Sequence, residues 1–427
     1  MARREIGVDE RLPLAQTLPL SLQHLFAMFG ATVLVPFLFK VDPATILLMN
    51  GIGTLLYIFI TKGKIPAYLG SSFAFLSPVF VVLGKYGYNS ALGGFIAAGL
   101  VFVIVALIVK WAGTGWLDVV FPPAAMGAIV AVIGLELVPT AAGMAGFIRP
   151  PSLAPDASWS LNPVLVKIAV FTLVVTILGS VLFRGFMAII PILFGIVAGY
   201  IFAYLYGGVD ISLMRSAAWI QAPTFYFPKF DPAAIAIILP ASLVVVAEHI
   251  GHLFVTSGLV GRDLSKDPGL HRSMMGNGIS TIISGFLGST PNTTYGENIG
   301  VMAITKVYSV WVIGGAAIIA IVLSFCGKLS AAIASIPTAV MGGVSLLLYG
   351  FIAASGIRML VEAKVDYSRP RNLILTCVVL VIGISGASLN IGAVALKGMG
   401  LATVVAIVIS LCFALFDLLK ISNDIEE

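Results

Sequence analysis

Apolar segments of about 20 residues, the length of a membrane-spanning helix, follow one another along almost the whole chain. They show no strict alternation of apolar and polar positions, so the pattern favours transmembrane α-helices over the strands of a β-barrel. Charged and turn residues divide them into fourteen segments, near 15–39, 43–61, 66–84, 89–109, 122–146, 163–183, 185–206, 232–260, 273–287, 288–305, 308–326, 329–356, 372–388 and 391–419. The sequence therefore predicts an all-α polytopic membrane protein with fourteen transmembrane segments.

Composition agrees with this pattern and narrows the function classes. Of the 427 residues, 59% are hydrophobic and 10% are charged, whereas soluble domains carry about 25% charged residues. The three cysteines lie singly inside apolar segments, without the spacing of a disulfide framework or a metal site. Because no basic patch is interleaved with aromatic residues, we expect no nucleic-acid partner.

The distribution of positive charge predicts the orientation. If the N-terminus is cytoplasmic, sixteen of the 24 Lys and Arg residues fall in inner segments and seven in outer ones, and Lys167 falls within a span. Cytoplasmic loops carry the excess of Lys and Arg in membrane proteins. The sequence thus predicts that both termini are cytoplasmic.

The two halves of the chain contain related motifs. Three short motifs recur in the same order at offsets of 215 to 225 residues, for example GSS at 70–72 and GST at 288–290. Because each half has an odd number of segments, a repeated half inserts upside down, which predicts a 7+7 inverted repeat with a site near the midplane. The third and tenth segments are interrupted by Gly and Pro, and corresponding interrupted segments indicate the binding site in such folds.

Buried acids give the candidate chemistry. Glu297 lies in the interrupted tenth segment, and Glu248 lies in an apolar segment four residues before His252, on the same helix face. An intramembrane acid is costly and is by default a functional-site hypothesis. The Glu248–His252 pair is suited to taking up and releasing a proton, or it merely satisfies buried hydrogen bonds between helices. For His249, which points about 100° away, and for His24, the hydrogen-bonding role is favoured.

A metal site is disfavoured. The string EHIGH at 248–252 places two histidines three apart, whereas the metalloprotease pattern H-E-x-x-H places them four apart around the acid. No third ligand is evident in the sequence. We therefore expect neither an enzyme nor a metal or other cofactor.

The same residues suit a small planar solute. Two acids on different segments can accept two ring N–H groups, and amides freed near Phe73 and Gly296 can donate to carbonyl oxygens. The rings of Phe73, Tyr295 and Tyr349 either pack against a flat ring or belong to the core and the lipid-facing surface. The candidate substrate-binding residues are Ser72, Phe73, Glu248, Tyr295, Gly296, Glu297 and Tyr349.

One run of residues identifies a family. The run ENIGVMAITK at 297–306 resembles the signature of the nucleobase–ascorbate transporter family: a polar residue, Asn, any residue, Gly, four variable positions, Thr and a basic residue. Further stretches of likeness, such as KGKIPAYLGSSFAF at 62–75 and AEHIGHL at 247–253, lie in both halves. The likeness covers essentially the full length and is strongest to bacterial members that take up uracil.

The resemblance implies an architecture. Two core parts would be residues 1–110 (spans 1–4) and 232–326 (spans 8–11), and two gate parts would be 111–231 (spans 5–7) and 327–427 (spans 12–14 and a short tail). Spans 3 and 10 would each contain a short strand, and the two strands would pair antiparallel.

The resemblance also implies an activity. Its members of this kind import uracil with a proton across the bacterial inner membrane, surrounded by lipid, and can form homodimers through their gate domains. Carried over to this sequence, Glu248 and Glu297 would hold the ring, the amides of Phe73 and Gly296 would bind its oxygens, and Tyr295 and Tyr349 would line the pocket. Glu248 and His252 would couple the proton, the only cofactor-like species expected.

Two alternatives of the same broad fold stay open. One is a transporter of another nucleobase, xanthine or thymine. The other is an anion exchanger of the sulfate or bicarbonate type, which two acids at the pocket disfavour.

Overall fold

The computed structural model describes residues 4–151, 153–154, 156–207, 209–391 and 394–422. Eighteen α-helices lie within these residues. The first nine are α1 Leu14–Ala27, α2 Phe29–Phe39, α3 Pro43–Ile60, α4 Leu76–Lys85, α5 Tyr88–Ala112, α6 Gly115–Val120, α7 Pro123–Met144, α8 Pro163–Leu182 and α9 Pro191–Gly207. The others are α10 Ser212–Ser216, α11 Pro232–Val260, α12 Leu270–Leu287, α13 Gly296–Thr305, α14 Val310–Ser324, α15 Gly327–Ala334, α16 Thr338–Glu362, α17 Pro370–Ile384 and α18 Gly398–Leu418.

Four short strands complete the architecture of the described residues. They are β1 Leu69–Ser71, β2 Asn292–Thr294, β3 Ser388–Ile391 and β4 Val394–Lys397. β1 pairs antiparallel with β2, and β3 pairs antiparallel with β4. The first pair joins segments 221 or more residues apart, whereas the second is a local hairpin.

The helices have the length and composition of a multi-pass membrane protein. In the described part of the chain, eight helical segments are long and apolar enough to cross a membrane, and four further apolar helices have 10–17 residues. Several begin at an Asx–Pro pair: Asp42, Asn162 and Asp231 each accept hydrogen bonds from the first amides of α3, α8 and α11. A capping side chain followed by proline favours a helix start, because it satisfies otherwise unpaired amides and fixes φ.

The first predicted segment, 15–39, contains a break between α1 and α2 at Met28. The side-chain amide of Asn298 donates to the His24 carbonyl at 3.0 Å, and the helical bond from Met28 N–H to the same carbonyl is long, 3.4 Å. A side chain inserted into the helical ladder is a known cause of kinks. The partner lies 274 residues away, so no local pattern predicts this break.

Two other predicted segments begin differently in the structure. The segment predicted at 329–356 consists of the short helix α15, a turn ending at Pro337, and then α16. The segment predicted at 391–419 begins with β4, and its helix starts at Gly398, whose φ of +54° is readily adopted only by glycine.

Close helix packing relies on glycine where α7 crosses α16. A Cβ added to Gly134 would overlap the carbonyl of Tyr349, and one added to Gly356 would overlap the main chain of Ala131. Small residues of this kind let transmembrane helices approach closely.

Candidate substrate site

The two interrupted segments meet in the interior of the protein. β1 lies against β2 with Leu69 opposite Thr294 and Ser71 opposite Asn292. A 3-10 turn, Phe73–Phe75, follows β1 and leads into α4, while α13 starts two residues after β2. The first amides of a helix have no acceptor within it, and its N-terminus carries partial positive charge. Two helix N-termini therefore offer hydrogen-bond donors beside the paired strands.

Buried hydrogen bonds hold the strands in place. The Asn292 side-chain amide donates to the hydroxyls of Ser280 (2.5 Å) and Ser284 (3.1 Å) on α12, and the Asn292 backbone N–H donates to Thr281 (3.1 Å). On the other strand, the Leu69 N–H donates to the Thr54 hydroxyl of α3 at 2.9 Å. Because irregular backbone is tolerated in a membrane only where its polar groups are satisfied, these bonds make the broken segments stable.

A cavity of about 290 Å³ lies beside the strands. Six of the predicted site residues line it: Phe73, Glu248, His252, Tyr295, Gly296 and Glu297. From the two acids the cavity extends along α11, α13 and α16 to Leu259, Arg358 and Glu362, near the last turns of α11 and α16. Arg358 and Glu362 are exposed and form an ion pair of 2.7 Å at this mouth.

Ser72 and Tyr349 do not line the cavity. Ser72 is buried behind it, where its N–H donates to the Pro291 carbonyl at 3.0 Å. Tyr349 is also buried, and its ring packs edge to face on Phe73 with 6.3 Å between the centroids. In this conformation the first supports the strand pair, and the second supports an aromatic side chain of the cavity wall.

Tyr295 is tied to the opposite strand. Its hydroxyl donates to the Ser71 carbonyl at 3.0 Å, and a Cβ on Gly70 would overlap its ring. Glycine at position 70 is therefore needed for this tyrosine to cross the strand. The hydroxyl bond fixes the ring at the cavity edge.

Glu248 and Glu297 come from separate helices, α11 and α13, and face the same cavity. Neither forms an ion pair within the described residues. Two acids that form no ion pair can accept N–H donors from a neutral ligand, whereas an anion would be repelled by either in its charged form.

The histidines have different surroundings. The Nδ1 atom of His252 is 3.1 Å from the Thr294 hydroxyl, and a Cβ on Gly296 would lie 3.3 Å from His252 Nε2. His249 is buried away from the cavity, with Nε2 2.8 Å from the Ser273 hydroxyl. His24 is buried in contact with the side chain of Asn298.

Glu136 has partners that sequence reasoning did not find. Its carboxyl accepts hydrogen bonds from the Ser77 hydroxyl of α4 and from the Met399 N–H of α18, the latter at 2.9 Å. The lone acid in an apolar helix was the available signal, but its partners are 59 and 263 residues away. Glu136 thus joins three helices outside the cavity.

Known proteins match the chain over nearly its whole length. A family model described as a permease family matches residues 15–392. The uracil permease of Escherichia coli strain K12 is 66% identical over 420 residues, which cover 98% of this chain and 96% of that protein. The uracil permease of Paenibacillus larvae subsp. larvae is 64% identical over 424 residues, covering 99% and 100% respectively.

A solved structure shares the fold. The transmembrane domain of the cyanobacterium bicarbonate transporter BicA matches with a TM-score of 0.61 at 14% identity, over 97% of this chain and 99% of that one. At this identity the likeness concerns the fold alone, a helical transporter fold. The family resemblance predicted from the signature at 297–306 is confirmed, and the chain belongs to the permease family, alongside relatives named uracil permease.

Proposed function

We propose that this permease imports uracil together with a proton across the bacterial inner membrane. The observation that carries the proposal is the convergence of two unpaired acids and two helix N-termini on one cavity. Uracil has two ring N–H donors and two carbonyl acceptors, which this set of acceptors and donors complements. The cavity volume of about 290 Å³ is at the small end of ligand sites, which span about 300–1,000 Å³.

Within this proposal, Glu248 and Glu297 accept the ring N–H groups, and the amides at Phe73 and Gly296 donate to the carbonyl oxygens. Tyr295 closes the edge of the pocket. Ser72 and Tyr349 act from behind, by fixing the strand pair and the Phe73 ring. The names of the relatives support uracil over other nucleobases.

The packing of the helices supports fourteen spans in two inverted repeats. α5 packs on α12 as α14 packs on α3, and α8 packs on α9 as α17 packs on α18. An inverted repeat in which α3, α5, α7, α8 and α9 correspond in turn to α12, α14, α16, α17 and α18 explains this packing. Under that correspondence the pair α5 and α12 is equivalent to the pair α14 and α3, and the pair α8 and α9 is equivalent to the pair α17 and α18. The pair α7 and α16 then maps onto itself, as does the strand pair β1 and β2.

The same packing supports the core and gate domains. The most extensive contacts of α3, α5, α12 and α14 are with one another or with α1 and α11. Those of α7, α8, α9, α16, α17 and α18 are mainly among themselves. We assign residues 1–110 and 232–326 to the core, and 111–231 and 327–427 to the gate.

The cavity mouth defines the conformation. It opens at the ends of α11 and α16, beside Arg358, and the excess of Lys and Arg supports a cytoplasmic position for these ends. The structure then has the inward-open arrangement.

Exposed apolar side chains of the gate helices α8 and α9, such as Val174 and Ile201, face lipid or a second copy of the chain. The mass of the protein in lipid nanodiscs tests whether two copies form a dimer.

Accumulation of uracil against a concentration gradient requires a coupled ion, because uracil is neutral. One positive charge moving down a potential of 100 mV contributes roughly 2.3 kcal/mol, enough for about 50-fold accumulation. Glu248 is the proposed proton carrier, since it lines the cavity one helical turn from His252. Alternating access follows if the proton and uracil together permit the core to move against the gate.

Uptake of radiolabelled uracil into proteoliposomes tests this function. A pH gradient, acidic outside, should drive accumulation, whereas a Na⁺ gradient at equal pH should not. Unlabelled uracil should compete fully, xanthine weakly and sulfate not at all. Accumulation driven by Na⁺, or inhibition by sulfate equal to that by uracil, would refute the proposal.

A further inference from the structure

Five polar side chains form a continuous hydrogen-bonded chain from the core to the cavity. Tyr57 Oη lies 2.6 Å from Ser273 Oγ, which lies 2.8 Å from His249 Nε2. On the other side of the ring, His249 Nδ1 is 3.4 Å from Thr294 Oγ1, which is 3.1 Å from His252 Nδ1. The first four residues are buried, and Thr294 and His252 both line the cavity. The chain connects α3, α12, α11 and β2.

Such a chain has two directions in which its protons can point. Each hydroxyl has one proton to donate, and each neutral imidazole has one N–H and one bare nitrogen. In the first direction, Tyr57 donates to Ser273, Ser273 to His249 Nε2, His249 Nδ1–H to Thr294, and Thr294 to His252 Nδ1. In the second direction every one of these bonds is reversed, and Tyr57 becomes an acceptor.

The buried end at Tyr57 decides between the two directions. In the observed rotamer Ser273 has no main-chain acceptor among the described residues, so its proton goes to His249 or to Tyr57. If it goes to Tyr57, the tyrosine O–H has no acceptor elsewhere in the described structure. An unsatisfied buried donor shifts an equilibrium by roughly five- to a hundredfold, so the first direction dominates.

We infer that Ser273, His249 and Thr294, in a chain that ends at the buried Tyr57, are positioning residues that set the tautomer of His252. In the dominant direction His249 carries its proton on Nδ1 and His252 carries its proton on Nε2. The Nε2 atom faces Gly296, so the N–H points toward the cavity shared with Glu248 and Glu297. The consequence for uracil, a fixed donor beside its binding acids, rests on the proposed function; the tautomer itself does not.

¹⁵N NMR of the histidine-labelled, full-length protein in detergent tests the inference at neutral pH. The ring nitrogen shifts distinguish an Nδ1–H from an Nε2–H imidazole, and the His249→Gln and His252→Gln spectra assign the two signals. The expected result is Nδ1–H for His249 and Nε2–H for His252. The reverse pair of tautomers overturns the inference, and this measurement requires no variant that perturbs Tyr57.

Tyr57→Phe tests the role of the buried end. Without the tyrosine hydroxyl, the reversed direction leaves the Ser273 proton without an acceptor in the observed rotamer, whereas the first direction still satisfies every donor, so the Nε2–H form of His252 should stay dominant. Tyr68→Phe is the matched control, because Tyr68 is fully buried and its hydroxyl has no hydrogen-bond partner in the described residues. A rise of the Nδ1–H form of His252 in Tyr57→Phe but not in the control overturns this account of the buried end.

Uracil uptake assays distinguish a failure of this inference from a failure of the proposed function. Thr294→Val, which removes the link to His252 Nδ1, should raise the KM for uracil, and Thr294→Ser should restore it because it retains the hydroxyl. If the wild-type protein shows the expected tautomers but no uracil uptake, the proposed function fails and the positioning chain stands. If wild-type uptake is normal and Thr294→Val leaves both the KM and the His252 tautomer unchanged, the positioning chain fails.

Discussion

The hydrogen bond between Ser77 and Glu136 offers a direct test of core movement against gate. Ser77 belongs to α4 in the proposed core, and Glu136 belongs to α7 in the proposed gate. Both lie in the half of the bundle away from the cavity mouth at Arg358. In the proposed inward-open arrangement this bond closes the outer side, so it must break if the core moves against the gate and opens the site outward. Ser77→Ala should therefore favour the outward-open state.

The size of the effect follows from the contact. A single hydrogen bond of this kind contributes about 1 kcal/mol net, and Glu136 is half-buried, so water replaces part of the lost partner. The other carboxyl oxygen keeps its bond from Met399 N–H, which lies within the gate and persists in both states. Since 1.4 kcal/mol is tenfold in an equilibrium constant, the ratio of outward-open to inward-open protein should rise about fivefold.

Electron–electron double resonance between spin labels at positions 85 and 385 measures this ratio. Both positions are exposed and lie on the proposed outer side, the first at the last residue of α4 in the proposed core and the second directly after α17 in the proposed gate. Ser90→Ala is the matched control, since its buried hydroxyl donates to the Tyr86 carbonyl within the core. If Ser77→Ala and Ser90→Ala give the same distance distribution, Ser77 does not hold the outer side closed.

Three further results are expected. Glu248→Ala and Glu297→Ala should each weaken uracil binding by roughly five- to a hundredfold, because each leaves a ring N–H without its partner; calorimetry giving wild-type affinity would contradict the pocket. His252→Ala should reduce pH-driven accumulation more than equilibrium binding, and normal accumulation would show that His252 has no part in coupling. Gly356→Ala should destabilise the fold by about 1–3 kcal/mol through overlap with α7, measured by unfolding in detergent, whereas Gly350→Ala meets no atom within 4 Å and should unfold like wild type.

Sequence reasoning located the cavity because a buried acid is expensive. Glu248 and Glu297 lie 49 positions apart in the sequence, yet the cost of an intramembrane carboxyl indicated a functional site at each. The Gly- and Pro-interrupted segments then pointed to the same place. Both signals depend on residue type alone, so they are readable without knowing any contact.

Side-chain direction was less predictable. Ser72 and Tyr349 were expected at the substrate and lie behind the cavity wall. A residue in a short strand or an apolar helix has no polar–apolar alternation to show which face meets the cavity, because protein surrounds it on all sides. The break at Met28 escaped prediction for a related reason: its cause is the distant side chain of Asn298.

The hydrogen-bonded chain from Tyr57 to His252 could not be predicted from the sequence, because three of its five members are linked through hydroxyl groups. A Ser or Thr inside a transmembrane helix is inexpensive, because its hydroxyl can bond a carbonyl one turn earlier, as Thr172 does with Ile168 at 2.8 Å. Ser273 has the same local sequence opportunity but turns to Tyr57 and His249 instead. Only the fold distinguishes the two cases. The free-energy cost of burying an acid in a membrane indicates a functional role from the sequence alone, whereas the role of a buried hydroxyl is recognised only from its hydrogen-bond partners.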